Sequence, residues 1–315
     1  MKGSPAVAVV IPLFNKAAFI EQTLRSALTQ SYSDFEVIVV DDGSTDDGAM
    51  LVGRFDDPRI RIVRQDNAGV SEARNRALNE VRAPLAAFLD ADDVWTRDHL
   101  RHLIELSRRF PEAGLYGNRF LATAVPQASE VHSKAVTYRL LDDYFVVCAS
   151  GETPFFTSSC MVPCELARSV GAFPSEESRA EDTSLWIRLA AIAPVAVSDY
   201  LGCLYRRSAQ SLTTTPVLVP DISMRTLQSL LAKNVSWPAA RKHAVSEYYY
   251  CLAMANALDC LRAGQREAAR RFLELSSGTI GLRRRWFWIR LLAAMPLRLV
   301  YLTFYMRDRL RGEIA

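Results

Sequence analysis

Two acidic clusters carry the chemistry that this sequence could do. Asp41-Asp42-Gly43-Ser44-Thr45-Asp46 closes one apolar run, and Asp90-Ala91-Asp92-Asp93 closes another. Crowded carboxylates repel one another and raise each other's pKa, so two such clusters ask for a neutralising partner. A hard divalent cation is one: Mg²⁺ or Mn²⁺ takes oxygen ligands, and Mg²⁺ commonly uses one or two carboxylates plus substrate phosphates. Taken singly, the first cluster also reads as a strand-to-helix turn with an N-cap, and the second as a solvated turn. Arg74-Asn75 follows Asn67-Ala68-Gly69. A cation there could pair with a diphosphate, hold an aspartate in place, or simply lie exposed on a helix. Glu181-Asp182 opens another helical stretch, where the helix dipole favours acids in any case. No G-x-x-x-x-G-K and no G-x-G-x-x-G occurs, which argues against a P-loop enzyme and a dinucleotide oxidoreductase.

The elements that must position these residues alternate between two periods. Short β-branched runs at Val7–Ile11, Phe35–Val40, Ile60–Val63 and Leu85–Leu89 read as buried strands. Helical spacing lies between them: Phe19-Ile20, Leu24 and Ala27-Leu28 share one face, and further helices are expected at Asp46–Phe55 and Val70–Val81. Strands joined by helices of this length imply right-handed crossovers and a mostly parallel sheet. Ligands of such sheets bind beyond the carboxyl ends of the strands, where both acidic clusters fall. The middle third is less regular, with strand-like pieces near Leu115–Tyr116, Val136–Leu140 and Thr157–Val162 and a helix at Glu181–Ile192. Beyond Pro216 the spacing turns helical, over Ile222–Leu231, Ala239–Leu261 and Gln265–Leu275. The expected division is an α/β domain over 1–215 and a helical region over 216–315.

Half of the 315 residues are apolar, 23% are charged, and the net charge is +3. This describes a globular chain with a sizeable core and gives no reason to expect a nucleic-acid partner. Charge is unevenly spread. From Arg241 onward there are 14 basic and 6 acidic residues, a balance of +8 on a body at −5. Within residues 280–311, Arg283, Arg284, Arg290, Arg298 and Arg309 fall in a sector of about 120° on an ideal helix. Trp286, Trp288, Tyr301 and Tyr305 accompany them, as on a helix lying in a lipid headgroup layer. Packing on the body or on a second copy of the chain is the alternative, and two mid-helix arginines argue against a spanning segment. The six cysteines form no C-x-x-C pair and read as buried reduced thiols. No signal peptide is read at the start, and a cytoplasmic location is expected.

The runs Val9-Val10-Ile11-Pro12-Leu13-Phe14-Asn15-Lys16, Val39-Val40-Asp41-Asp42-Gly43-Ser44-Thr45-Asp46, Asn67-Ala68-Gly69 with Ala73-Arg74-Asn75, and Leu89-Asp90-Ala91-Asp92-Asp93 resemble family-2 glycosyltransferases of the GT-A fold, in order and spacing as well as residue type. The likeness continues through Gly171-Ala172-Phe173, Glu181-Asp182, Leu185-Trp186 and Arg188-Leu189-Ala190, and covers roughly residues 5–213. It implies a Rossmann-like, mostly parallel sheet flanked by helices, with a helical C-terminal extension. It also implies an inverting transfer of sugar from a nucleotide-sugar donor, a UDP-sugar foremost, with Mn²⁺ or Mg²⁺ as cofactor. By the same resemblance, Asp42 contacts the base, Pro12 and Phe14 line the nucleotide pocket, and Arg74 and Asp90 serve the donor side. Asp92 ligates the metal on the diphosphate, and Asp182 is the catalytic base. The basic aromatic tail adds a glycan or lipid-linked acceptor at the inner face of the cell membrane, in the setting of bacterial surface polysaccharide.

Two departures from the family pattern stand out. Ser208 stands where many relatives carry a histidine near the metal or diphosphate, so that Arg206 or Arg207 is expected to neutralise part of the diphosphate. Phe14 replaces a frequent tyrosine. A nucleotidyltransferase-like enzyme and an inactive nucleotide-binding partner in glycan assembly are the competing readings. The C-terminal helices leave a homo-oligomer open.

Overall fold

The computed structural model describes residues 4–126, 135–176, 179–207, 218–233 and 236–295, with 299 and 303. They fall into two compact units. One comprises residues 1–144 with 153–211, and the other 145–152 with 212–315.

The first unit is built on a sheet. In chain order its first elements are β1 (Val7–Leu13), α1 (Ala17–Leu28), β2 (Phe35–Asp42), α2 (Gly48–Gly53), β3 (Ile60–Gln65), α3 (Val70–Glu80) and β4 (Leu85–Phe88). There follow β5 (Val94–Trp95), α4 (His99–Arg109), β6 (Leu115–Thr123), β7 (Tyr138–Leu140), β8 (Cys160–Pro163), α6 (Cys164–Ser169), α7 (Glu181–Ile192) and β9 (Val195–Arg206); α5 (Tyr144–Ala149), between β7 and β8, lies in the second unit from Phe145 on. The strand order is β3-β2-β1-β4-β8-β6-β9-β5, with β7 on β9. The sheet is parallel from β3 to β4 and mixed beyond, because β8 runs antiparallel to both β4 and β6.

Both faces of the first strands are covered, which is why they read as unbroken apolar runs. Val7, Val9, Ile11 and Leu13 join Val37, Val39, Ile20, Leu24 and Ala27 in one cluster, while Ala8, Val10, Ile38 and Val40 are buried on the other side. α3 packs on β1 and β2, and α4 packs on β6 and β9. The six cysteines are free and buried, as expected.

One consequence of the strand order positions everything that follows. Chain order runs outward from β1 through β2 to β3, and β4 then returns to the opposite side of β1. The reversal makes the β1–β4 boundary the topological switch point, where ligands of open α/β sheets bind. The loops after β1, β2 and β4 carry Phe14 to Lys16, Asp42 to Asp46 and Asp90 to Asp93 to this one end.

The second unit contains α8 (Ile222–Ala232), α9 (Ala239–Arg262), α10 (Arg266–Leu275) and α11 (Arg283–Ala294). Asp221 caps α8 by accepting the Met224 N–H at 3.0 Å. Glu247 of α9 accepts from Thr279 Oγ1 at 2.7 Å and from the Ile280 N–H at 2.8 Å, tying down the approach to α11. Residues 145–152 belong here because Phe145 lies 6.2 Å from Trp237, with the Arg241 guanidinium over both rings.

Candidate active site

The loops after β1 and β2 are sewn together by side chains. Asn15, with a left-handed φ of 51°, accepts the Thr45 N–H at 2.8 Å, and Asp46 accepts the Ala17 N–H at 2.8 Å. Asp42 is 3% exposed. Its carboxylate accepts from Gln65 Nε2 at 2.8 Å and from the Ala68 and Gly69 N–H groups, each at 2.9 Å. A negative charge thus sits at the start of α3, where unpaired amides and the helix dipole favour it. Gly43 is required for this approach: its φ is +73°, and a Cβ there would meet the Asn67 nitrogen at 2.8 Å. Phe14, in the loop after β1, is 45% exposed, and Pro12 is half-buried.

Arg74 is deeper. It is 3% exposed, donating from Nη2 to Asp90 Oδ1 at 2.7 Å and from Nη1 to Glu181 Oε1 at 2.8 Å. Its guanidinium also lies 5.3 Å from the centroid of the Phe173 ring. Asn75 fixes that ring's backbone by a reciprocal pair, donating to the Phe173 carbonyl at 2.7 Å and accepting its N–H at 2.9 Å. Burial works against the charge on Arg74, but Asp90, Glu181 and Asp182 outweigh it and hold the guanidinium protonated. Burial, followed by the charge of Asp182, pushes Glu181 up to about 7 against the pull of Arg74. Of the roles open to Arg74 from sequence, the geometry is that of a cation holding an aspartate in place.

The cluster after β4 divides its labour. Asp93 is fully buried, accepting from Ser158 Oγ at 2.6 Å and from the Arg206 N–H at 2.9 Å. Burial, reinforced by Asp90, holds its carboxyl well above the usual range, so it serves structure. Asp92 instead points to the accessible side, its side chain 20% exposed and paired with the Lys16 ammonium. Arg206 donates from Nε to the Asp92 carbonyl at 2.9 Å and from Nη2 to Gln22 at 2.7 Å.

Asp182 stands in the first turn of α7, accepting from Thr157 Oγ1 at 2.5 Å. The next residue, Ser158, accepts the Asp90 N–H at 3.0 Å while donating to Asp93. Two adjacent hydroxyls therefore fasten Asp182 and the β4 cluster to one turn. The site is a set of loop-borne carboxylates on one side and a helix-borne aspartate on the other.

Residues 8–164 match the model of glycosyl transferase family 2. The chain belongs to that family. It is 39% identical over 104 residues to the putative teichuronic acid biosynthesis glycosyltransferase TuaG of Bacillus subtilis, a match covering 32% of this chain and 41% of the relative. It is 34% identical over 113 residues to WfgD of Escherichia coli, a UDP-Glc:α-D-GlcNAc-diphosphoundecaprenol β-1,3-glucosyltransferase, over 36% of this chain and 45% of that one. The chain thus spans less than half the length of these relatives. Among solved structures, S. aureus TarS in complex with UDP-GlcNAc superposes with a TM-score of 0.70 at 16% identity, over 95% of this chain and 91% of that one. The mannosyltransferase PcManGT of Pyrobaculum calidifontis, with GDP-Man and Mn²⁺, gives 0.59 at 20% identity, over 96% and 84%. These likenesses establish the GT-A fold, a mixed α/β sheet flanked by helices with helices at the C-terminus.

A divalent cation fits the residues present. Asp92 offers a partly exposed hard-oxygen donor, and Asp90 stands beside it with one oxygen held by Arg74. Among the described residues no group of three or more His, Cys, Asp or Glu side chains could hold an ion. A cation here would therefore depend on substrate phosphate oxygens as well. Ser208 lies outside the described residues. Sequence reasoning missed Lys16, Thr157 and Ser158 as site residues; the paired hydroxyls just before the apolar run Cys160–Val162 were the available signal.

The buried Glu181 gives a pH signature. A carboxyl whose pKa is raised on folding, from 4.5 to about 7, contributes stability that is fully present below 4.5 and lost as pH rises through 7. Thermal denaturation should therefore show the melting-temperature difference between wild type and Glu181→Gln moving against wild type over this range. A difference independent of pH would refute the assignment.

Proposed function

We propose that this chain is an inverting glycosyltransferase that moves a sugar from a nucleotide-sugar donor to an acceptor hydroxyl. The observation that carries the reading is the opposition of Asp182 on α7 to the Asp90–Asp92 loop, with Arg74 and Glu181 joined between them. On this reading Phe14 and Pro12 flank the nucleoside, and Asp42 meets the base edge at the start of α3. Asp90 and Asp92 receive the diphosphate and hold a Mn²⁺ or Mg²⁺ ion, with Asp92 as the ligand. The ion's chemistry, when bound, is to stabilise negative charge on the departing nucleoside diphosphate. Asp182 takes the proton from the acceptor hydroxyl as that oxygen attacks the anomeric carbon from the opposite side. The displacement is single and inverts the anomeric centre. Thr157 orients the base by donating to Oδ2 at 2.5 Å, while the Thr183 N–H donates to Oδ1 at 2.5 Å.

The relatives support surface-glycan assembly, and the diphosphoundecaprenol acceptor named for WfgD supports a lipid-linked one. TarS with UDP-GlcNAc supports a UDP-sugar, and PcManGT with GDP-Man and Mn²⁺ supports the metal.

A peripheral place on the inner face of the cell membrane is part of the proposal. No helix among the described residues is long and apolar enough to cross a membrane. Helix α11, however, exposes Phe287 at 60% and Trp288 at 63%, among exposed Arg283, Arg284 and Arg290. Aromatic side chains flanked by arginines suit an anionic headgroup layer. Trp286 has a different role from its neighbours, since its indole N–H donates to the Leu273 carbonyl at 2.9 Å and packs the helix down.

Two experiments test these claims. Asp182→Asn should lower sugar transfer from a panel of nucleotide sugars by about a hundredfold or more while leaving donor affinity intact. Asp92→Ala should weaken metal-dependent donor binding itself; the reverse pattern would mean that the two roles are exchanged. Sedimentation with phosphatidylglycerol vesicles should carry the full chain down, and Phe287→Ser/Trp288→Ser should leave it in solution. Equal sedimentation of both proteins removes the membrane claim.

A further inference from the structure

Lys16 closes the loop after β1, and its ammonium pairs with Asp92 in the loop after β4. β1 and β4 are the neighbouring strands between which the order of the chain reverses, so this ion pair crosses the crevice in which an open α/β sheet takes its ligand. The other two cations at the cluster are anchored. Arg74 is buried between Asp90 and Glu181. Arg206 donates to the Asp92 carbonyl and to Gln22, and its guanidinium lies 4.6 Å from the Phe19 ring centroid. Lys16, whose ammonium lies 5.9 Å from the same ring centroid, differs in three respects. Its side chain is 37% exposed, its ion-pair partner is the single carboxylate of Asp92, and its ammonium ends a flexible four-carbon stem.

The carboxylate it holds is also the proposed cation ligand. A divalent ion on Asp92 and the Lys16 ammonium compete for the same oxygen, and an ammonium released there stands beside whatever anion arrived with the ion. A nucleoside diphosphate carries more negative charge than one carboxylate, and a mobile ammonium is well suited to follow it.

We propose that Lys16 is a diphosphate-binding residue that exchanges Asp92 for the diphosphate of the donor, so that the protein itself supplies one positive charge to the leaving group. The proposal rests on the donor-binding reading given above. It adds a specific competition: Asp92 serves Lys16 before the donor binds and the cation afterwards.

Calorimetric titration of wild type, Lys16→Met and Lys16→Arg with UDP, GDP, uridine and guanosine, in EDTA and in Mn²⁺, tests it. For the base that wild type accepts, Lys16→Met should weaken the diphosphate by about tenfold or more in both buffers and leave the nucleoside unchanged. Lys16→Arg should keep most of the affinity. Mn²⁺ titrated alone should bind Lys16→Met more tightly than wild type. Equal diphosphate affinity in wild type and Lys16→Met overturns the proposal while the donor site stands. Parallel loss of the nucleoside overturns it too, since Lys16 would then order the whole pocket. Failure of wild type to bind either diphosphate overturns it together with the donor-binding reading.

Discussion

The buried guanidinium of Arg74 is the interaction on which the site depends. It is 3% exposed and joins Asp90, at the end of β4, to Glu181, at the start of α7. Those residues lie 91 positions apart in sequence, on the two sides that a transfer reaction must bring together. Taking charges out of water is expensive, and removing one partner of a buried pair typically costs about 3–5 kcal/mol because the other is left uncompensated. The arrangement persists because the guanidinium presents two directed donors to two carboxylates and rests on Phe173, whose backbone Asn75 holds. The same contact fixes Asp182, since Glu181 and Asp182 are consecutive in one helical turn.

A second set of contacts controls charge around this centre. Each carboxylate of the β4 loop has its own partner: Arg74 for Asp90, Lys16 for Asp92, and Ser158 with the Arg206 amide for Asp93. The partners grade from fixed to labile in the order of their own exposure, from buried Ser158 through nearly buried Arg74 to partly exposed Lys16. Asp93 is sealed, with its carboxyl pushed up by burial, Asp90 is clamped by a buried guanidinium, and Asp92 is paired with a partly exposed ammonium. Only the last can change partners without disturbing the fold, and it is the one the proposed chemistry needs to change.

Much of this was legible in the sequence because β1 and β2 are buried on both faces and announce themselves as β-branched runs, with the short apolar runs of β3 and β4 on either side. α3, α7 and α8 to α10 were legible through spacing, within a residue or two of their observed ends. Less could be read where the sheet turns mixed. Helix α4 and the twelve-residue β9 have no counterpart in the periodicity reading, and β9 takes partners in both directions from β5, β6 and β7. The acidic clusters pointed to the site, but their individual roles could not be separated. Whether Asp92 or Asp93 faces solvent depends on Ser158 and Arg206, which lie 66 and 114 residues from Asp92. Lys16 was not singled out because nothing local in sequence reveals a partner across the switch point.

The account is tested most directly by thermal denaturation with UDP, GDP, dTDP and CMP, each with and without Mn²⁺. A ligand at a hundredfold its dissociation constant stabilises the native state by about 2.7 kcal/mol, an easily measured shift. The account predicts a shift with the nucleoside diphosphate of one base, larger in Mn²⁺ than without it. No shift with any nucleotide, in either condition, would contradict it.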